Sequence, residues 1–276
     1  MHMFECFCVF CYDLTREGET MKKIFWFILA GCSFLFGIEG KEVFDAKCAS
    51  CHRYYISLNE LKKNAQSNNT LLELKAPTLN QLSFGVRLNI GDIKADEESQ
   101  RLEVEEFIEN YIAAPDKKKN VVPPEMTKFF PAMPSMKDLL NEDEIEALSN
   151  FIFDYGEAMI IEHSAPFVSF EKAKELAKQE NKIIMIRGIL PYCKWCIKMD
   201  REVMVEKEVV ETLIKDFVVV KTDVALEKLP LGMKSLGTPS FYFINKDGET
   251  VIAQIQGYRN KQEFLELLNT VKQNAK

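Results

Sequence analysis

Two pairs of closely spaced cysteines carry the clearest chemistry in this chain. Cys48, Cys51 and His52 form a C-x-x-C-H sequence, in which two thiols can bond to the vinyl groups of a haem and the adjacent imidazole can ligate its iron. Cys193 and Cys196 form a second C-x-x-C, a spacing that lowers thiol pKa values and suits reversible disulfide chemistry. The sequence therefore predicts two redox centres of different kinds in one polypeptide.

Each cysteine pair has alternative interpretations. Cys48 and Cys51 could belong to a zinc site shared with the second pair, could form a redox dithiol, or could be a chance match. A shared zinc site would need ligands from two separate folding units, and no third ligand pair lies nearby in the sequence. Haem attachment is the predicted role. For Cys193 and Cys196 the alternative is a static disulfide.

The charge balance excludes one class of partner. The 276 residues include 35 Lys and Arg against 42 Asp and Glu, which gives a net charge of −7. Nucleic-acid binding relies on a concentrated basic surface, and the longest basic run is Lys117–Lys119. We expect no nucleic-acid partner. The length is sufficient for two ordinary domains.

The N-terminal sequence predicts export. A Met-Lys-Lys start at residue 21 precedes an apolar run over 24–38, which is typical of a secretory signal and too short for a spanning helix of about 20 residues. We predict a non-native upstream extension at 1–20, a signal peptide at 21–39 and a periplasmic mature protein. The Leu-Ala-Gly-Cys sequence ending at Cys32 resembles a lipoprotein cleavage box, and lipidation there would anchor the protein to the membrane.

Residues 40–160 are predicted to form an all-α domain. Gly40, Phe44 and Cys48 are spaced four apart, on one face of a helix. Asn141 and Glu144 can cap the last helix of this domain. Its apolar stripe consists of Ile145, Leu148 and Ile152. This arrangement resembles the small class I cytochromes c, and the resemblance implies one covalently attached haem c.

The same resemblance implies that a methionine in a loop before the last helix is the second iron ligand. Met133 lies between two prolines at the matching place, so His52 and Met133 would complete the iron coordination. Met126 and Met136 are the local alternatives. His163 is a further imidazole, but we expect it to lie beyond the last helix and on the surface.

The segment between these two ligands, residues 54–127, is longer than a minimal cytochrome of this class requires. Leu102 to Ala113 is predicted to be an amphipathic helix that ends before Pro115. Ala76 to Leu79 resembles the loop at the haem edge. For Ser57 to Asn69 the sequence predicts no role.

Residues 161–276 alternate between helix and strand in the order of a small α/β domain. The predicted elements are a helix at 170–179, strands at 183–187, 217–223, 241–244 and 251–255, helices between the second cysteine pair and Lys215, and a last helix capped by Asn260 and Glu263. This order resembles the thioredoxin fold, which implies a central mixed sheet flanked by helices.

The resemblance extends to periplasmic thioredoxin-like disulfide reductases and implies roles for individual residues. Cys193, exposed at a helix start, would attack a client disulfide, and Cys196 would resolve the mixed disulfide. Thr238-Pro239 matches the cis-proline position of the family. Arg187 stands where thioredoxins commonly have a buried acid, so we expect a different proton relay. Its side chain would favour the Cys196 thiolate if it approaches it, or would simply point to solvent.

Together these motifs predict an exported c-type cytochrome that transfers single electrons through one haem c and carries a thiol-disulfide oxidoreductase domain. The expected partners are periplasmic redox proteins, such as cytochromes and a respiratory oxidase or reductase, and disulfide-bearing client proteins. One alternative is a thiol reductase or cytochrome c assembly factor in which haem is structural or sensory. Another is an electron-transfer protein with an inert thioredoxin-like scaffold.

Overall fold

The fold is given by a computed structural model, which describes residues 38–94, 96–235 and 237–275. The predicted upstream extension, nearly all of the predicted signal peptide and Cys32 lie outside these ranges. None of the helices within them is both long enough and apolar enough to span a bilayer.

The N-terminal half of the described chain is helical. Its helices are α1 (Gly40–Lys47), α2 (Leu58–Gln66), α3 (Leu79–Asn89), α4 (Glu97–Ala113), α5 (Pro124–Thr127) and α6 (Glu142–His163). The long helix α6 packs against α1, α3 and α4. Buried residues of all four helices, including Phe44, Leu79, Val104 and Phe153, form one apolar core between them.

Helix α6 begins where the sequence predicts. The side chain of Asn141 accepts a hydrogen bond from the Glu144 N–H at 2.9 Å, and the Glu144 carboxylate accepts one from the Asn141 N–H at 3.0 Å. This reciprocal pair satisfies two amides that the helix leaves free. The helix continues through His163, so our expectation that His163 lies beyond it is wrong. The domain boundary after residue 160 stays a prediction.

Helix α1 crosses α6 at Gly40. A Cβ atom on Gly40 would lie 1.9 Å from the carbonyl oxygen of Ala147, so only a glycine allows the two backbones to come this close. One turn later Phe44 is buried, and its ring lies 5.7 Å from the ring of Phe151. The predicted face of α1 is therefore the face that meets α6.

The C-terminal half contains a four-stranded sheet with helices on both sides. The strands are β1 (Ile183–Ile189), β2 (Phe217–Asp223), β3 (Ser240–Ile244) and β4 (Val251–Gln256), and the helices are α7 (Phe170–Glu180), α8 (Lys194–Met199), α9 (Lys207–Asp216) and α10 (Lys261–Asn274). The strand order is β2-β1-β3-β4, with β1 and β2 parallel and the other neighbours antiparallel. This mixed sheet confirms the predicted α/β architecture.

Side chains of β1 alternate between the two faces of the sheet, as strand geometry requires. Ile184 and Ile186 pack in a cluster that includes α7 residues. Met185 packs in a second cluster with residues of α9 and α10. By this alternation Arg187 lies on the Met185 face, among apolar neighbours.

The helical and sheet-containing halves meet at and around a short segment of the described chain. Asp200–Met204 is a single π-helical turn that follows α8 directly, and we call it the π segment. It packs against α2 and α6. Lys62 Nζ lies 3.3 Å from a carboxylate oxygen of Glu202, and Val205 shares a buried cluster with Phe84. Both halves thus belong to one compact unit, residues 38–276.

Candidate functional site

The C-x-x-C-H motif lines an apolar cavity of about 440 Å³ in the helical half. Cys48 is the C-cap residue of α1, and the next residues form a turn in which the His52 N–H donates to the Cys48 carbonyl at 3.0 Å. This turn places Cys48, Cys51 and His52 at the same wall of the cavity. Phe44 and Leu148 from the crossing helices form part of the remaining wall.

The ring of His52 has a fixed orientation. Its Nδ1 lies 2.7 Å from the carbonyl oxygen of Pro77, so Nδ1 carries the proton and Nε2 keeps its lone pair. Burial lowers the pKa of His52, and the hydrogen bond to Pro77 offsets this only in part. The neutral ring with a free Nε2 is the form that ligates a metal.

The two thiols of this motif are unbonded. Burial, with a smaller effect of the neighbouring Cys51, raises the pKa of Cys48 to about 11. A thiol with this pKa stays protonated near neutral pH, which disfavours the interpretation as a reactive dithiol. Within the described ranges, no group of three or more His, Cys, Asp or Glu side chains is arranged to hold a metal ion. The two C-x-x-C pairs therefore form no shared zinc site there.

Met133 lines the same cavity as His52. The alternatives lie elsewhere: Met126 packs in a separate cluster with Phe130, and neither it nor Met136 is among the residues of the cavity wall. His163 does not line the cavity. Its ring stacks on the ring of Tyr55 instead. The structure thus brings Met133 and His52 to one site, and ligation of iron by Met133 stays a prediction.

Ser57 to Asn69, for which the sequence predicts no role, lie in the part of the chain that supports the loop carrying Met133. Leu61 of α2 and Leu74 are buried against Phe130, which lies three residues before Met133. The α2 helix also contacts α5. The sequence contained a local signal for this helix, because serine is a preferred N-cap residue. In the structure Ser57 Oγ accepts a hydrogen bond from the Glu60 N–H.

These residues fit a covalently attached haem. The cavity offers two free thiols, an imidazole with an available nitrogen and a thioether, within mostly apolar walls. Its volume is within the range of about 300–1,000 Å³ that is typical of ligand pockets. His52 and Met133 would hold the iron, Cys48 and Cys51 would hold the porphyrin, and a bound haem would supply one-electron transfer.

The second cysteine pair begins helix α8. Cys193 is the N-cap residue, and its Sγ accepts a hydrogen bond from the Cys196 N–H at 3.1 Å. The two cysteines are joined in a disulfide. Cys193 is half-buried, whereas Cys196 is 1% exposed. An amide directed at the outer sulfur favours its thiolate, so this geometry suits an accessible attacking thiol and a buried resolving thiol.

Pro239 lies at the same end of the sheet as the cysteines. The Thr238–Pro239 peptide bond is cis. The next residue, Ser240, is paired with Gly188 near the end of β1, where the chain turns toward Cys193. The cis bond was predicted, and the position of Pro239 beside the dithiol and its role in binding clients stay predictions.

Arg187 is buried behind the dithiol, at 4% exposure. Its guanidinium forms an ion pair with Asp200, and Nη2 donates to the Cys196 carbonyl at 3.4 Å. The side chain therefore approaches Cys196 and does not point to solvent. Asp200, four residues after Cys196, is a site residue that the sequence analysis missed.

Two family models match the described chain. Residues 38–154 match the Cytochrome c model, and residues 170–272 match a thioredoxin-like domain. The chain joins a cytochrome c domain to a thioredoxin-like domain. The predicted architecture and family resemblances are thereby confirmed, and the cytochrome c family implies haem c as the cofactor.

Individual proteins are similar to parts of the chain. An uncharacterised protein of Aquifex aeolicus is 27% identical over 117 residues, which span 42% of this chain and 72% of that protein. A thioredoxin from Thermus thermophilus is 24% identical, with a TM-score of 0.36, over 41% of this chain and 90% of the other. A disulphide isomerase from Xylella fastidiosa is 17% identical, with a TM-score of 0.32, over 40% of this chain and 98% of the other.

Aromatic side chains extend from the cavity of the cytochrome c domain to the thioredoxin-like domain. Phe44, in the cavity wall, lies 5.1 Å from the ring of Tyr54, which lies 5.8 Å from the ring of Tyr155. Tyr155 and Ile197 of α8 pack against the same buried cluster. We call this cluster, Phe84, Met159 and Val205, the interface cluster. Sequence reasoning missed this connection, because its members come from distant parts of the chain.

Proposed function

We propose that this protein is an exported c-type cytochrome that transfers single electrons through one covalently bound haem c, while its thioredoxin-like domain exchanges disulfides with client proteins. Support for haem attachment comes from the two free thiols, the oriented imidazole of His52 and the thioether of Met133 around one apolar cavity. Support for export comes from the signal-like sequence at 21–39. Cell fractionation with N-terminal sequencing tests export: we expect the protein in the periplasmic fraction with a start near residue 40, and recovery of the protein only in the cytoplasm with residues 21–39 intact would refute export.

The thiol chemistry follows from the positions of the two cysteines. A Cys193 thiolate attacks one sulfur of a client disulfide, so a mixed disulfide forms and the first client thiol leaves. The Cys196 thiolate then attacks Cys193, the Cys193–Cys196 bond forms, and the second client thiol leaves and takes up a proton. The client gains two electrons and the dithiol loses them. Cys193 is half-buried and therefore more accessible than the buried Cys196, which supports this assignment.

We further propose that the two domains work as one electron-transfer unit. The observation that carries this proposal is the course of α8, which holds Cys196 and runs directly into the π segment that packs on the cytochrome c domain. A dithiol near the potential of thioredoxin, about −270 mV, is a strong donor to most haem centres. Electrons would leave the dithiol for the cytochrome c domain and then for periplasmic cytochromes or a respiratory oxidase or reductase. Oxidation of one dithiol releases two electrons, and the single haem of a chain would accept only one at a time. The second electron would therefore pass to the ferric haem of another molecule, or follow after the first has left for an external acceptor.

Stopped-flow absorbance tests the coupling. The haem-loaded protein is prepared with a reduced dithiol and ferric haem, and reduction of the haem is followed by its visible spectrum. We expect a phase whose rate does not depend on protein concentration, since both centres share one chain. The Cys193→Ser variant is the matched control and should lack this phase. Equal traces for the two proteins would refute electron flow between the domains.

A further inference from the structure

We propose that Arg187 is a positioning residue for the resolving cysteine: its fixed positive charge stabilises the Cys196 thiolate that closes the disulfide, and Asp200 holds and moderates that charge. This inference rests on the proposed thiol exchange and deepens it. It assigns a role to a buried ion pair that sequence comparison with ordinary thioredoxins would not suggest.

The geometry directs the guanidinium toward Cys196. The carbonyl of Cys196 accepts hydrogen bonds from the Asp200 N–H and from Arg187 Nη2, the latter at 3.4 Å. Arg187 Nη1 pairs with the Asp200 carboxylate. Arg187 therefore bridges the strand that leads to the dithiol and the helical turn that follows Cys196.

The pair is deeply buried. The side chains of Arg187 and Asp200 are 5% and 9% exposed, and the face of β1 that carries Arg187 packs against Met199 and Val203. A guanidinium offers five N–H donors, yet Arg187 Nε has no hydrogen-bond partner among the described residues. The buried cation thus keeps one N–H without a partner among the described residues, while another donates to the backbone of the cysteine that must become an anion.

Burial makes the Cys196 thiolate costly, since low-dielectric surroundings disfavour the charged form of a thiol. A nearby opposite charge favours the charged form of a thiol. Arginine keeps its proton at any working pH, so Arg187 cannot accept the cysteine proton as a buried carboxylate could. Its charge can act only by stabilising the thiolate, and Asp200 reduces this effect because its own charge is negative.

The reaction of the reduced, haem-loaded protein with oxidised glutathione separates the two thiol steps. In the first step Cys193 forms a mixed disulfide and one glutathione thiolate leaves. In the second step Cys196 attacks Cys193, the intramolecular disulfide forms and the second glutathione thiolate leaves. Acid quenching followed by intact-protein mass measures the reduced, mixed and closed species over time.

Four variants test the assignment. Arg187→Met/Asp200→Asn removes both charges and leaves no lone buried ion, so it should fold. We expect it to slow the second step by about tenfold or more, with less than about a threefold effect on the first. Arg187→Lys keeps the cation and should close within about threefold of the wild type. Lys194→Met removes an exposed cation beside the dithiol and should change neither step by more than about threefold, since water screens it.

Asp200→Asn shows which of the two charged groups, Arg187 or Asp200, assists the attack of Cys196. Removing only the carboxylate should leave the second step as fast as in the wild type or faster. A slowing as large as in the double variant would overturn the inference, because it would identify the carboxylate as the group that accepts the proton. Unchanged closure in the double variant would also overturn it. A wild-type protein that stops at the mixed disulfide would refute the proposed thiol exchange itself.

Discussion

Gly40→Ala tests whether the crossing of α1 and α6 holds the cytochrome c domain together. An added Cβ would lie 1.9 Å from the Ala147 carbonyl oxygen and 2.6 Å from the Phe151 Cβ. Neither atom can rotate away, since one is backbone and the other is the first atom of a side chain. Reaching even a 3.0 Å contact requires the helices to separate by roughly 1 Å.

Such a separation would loosen the buried ring of Phe44 from its aromatic neighbours. Overpacking of a tight contact costs about 1–3 kcal/mol, and the backbone clash argues for the upper end. The compact unit of residues 38–276 that contains both domains falls in the size class of 150–250 residues, for which 1 kcal/mol shifts the melting temperature by about 2–4 °C. We therefore expect Gly40→Ala to lower the melting temperature by about 6–12 °C.

The assay is thermal unfolding of the haem-loaded protein, followed by circular dichroism and by haem absorbance. Glu42→Ala is the matched control, because Glu42 is exposed on the same helix, and surface changes of this kind usually stay within about 0.5 kcal/mol. If Gly40→Ala melts at the same temperature as Glu42→Ala, the close crossing does not stabilise this domain.

Three further predictions concern the iron ligand, the domain interface and alkaline pH. Met133→Ala should abolish the weak far-red band of methionine-ligated ferric haem, whereas Met136→Ala should keep it; a band that survives in the former rules out Met133 as ligand. Phe84→Ala removes a buried ring from the interface cluster and should lower the free energy of unfolding by about 3–5 kcal/mol in urea titrations, and a loss below about 1 kcal/mol would contradict this packing. Burial raises the pKa of Tyr55 and of Tyr155 from 10.0 to about 12, so their stabilisation is complete below pH 10 and is lost as the pH rises toward 12. Urea unfolding between pH 10 and 12 should therefore show a falling free energy of unfolding, with a smaller fall in Tyr55→Phe. An equal fall in the variant and the wild type would show that Tyr55 does not contribute to this loss.

Local signals were sufficient to predict most of the secondary structure. The capping pair at Asn141 and the one at Asn260 both form in the structure, because a cap and its helix lie within four residues of each other. The β-rich run at Phe217–Asp223 is a strand with those same bounds. Helix α4, in contrast, begins at Glu97, five residues before its predicted start. Its first turn is charged, so the apolar repeat that indicates a helix starts only after that turn.

Long-range contacts were not predictable in this way. Arg187 meets Asp200 across 13 positions, and Lys62 meets Glu202 across 140. No pattern of residue types signals such pairs, because they depend on how the elements fold together. The methionine at the cavity, in contrast, was predicted from the sequence, because Met133 lies between two prolines before the last helix, and the structure places it in the cavity wall.

The two C-x-x-C pairs show how one spacing can serve two chemistries. Cys48 ends a helix and Cys193 begins one, and the ends of a helix carry opposite partial charges. At Cys48 burial raises the pKa to about 11, so this cysteine stays a protonated thiol near neutral pH. At Cys193 an amide is directed at the sulfur, which favours the thiolate required for exchange. The end of the helix at which each cysteine pair lies therefore agrees with the two proposed roles, cofactor attachment for Cys48 and Cys51 and disulfide exchange for Cys193 and Cys196.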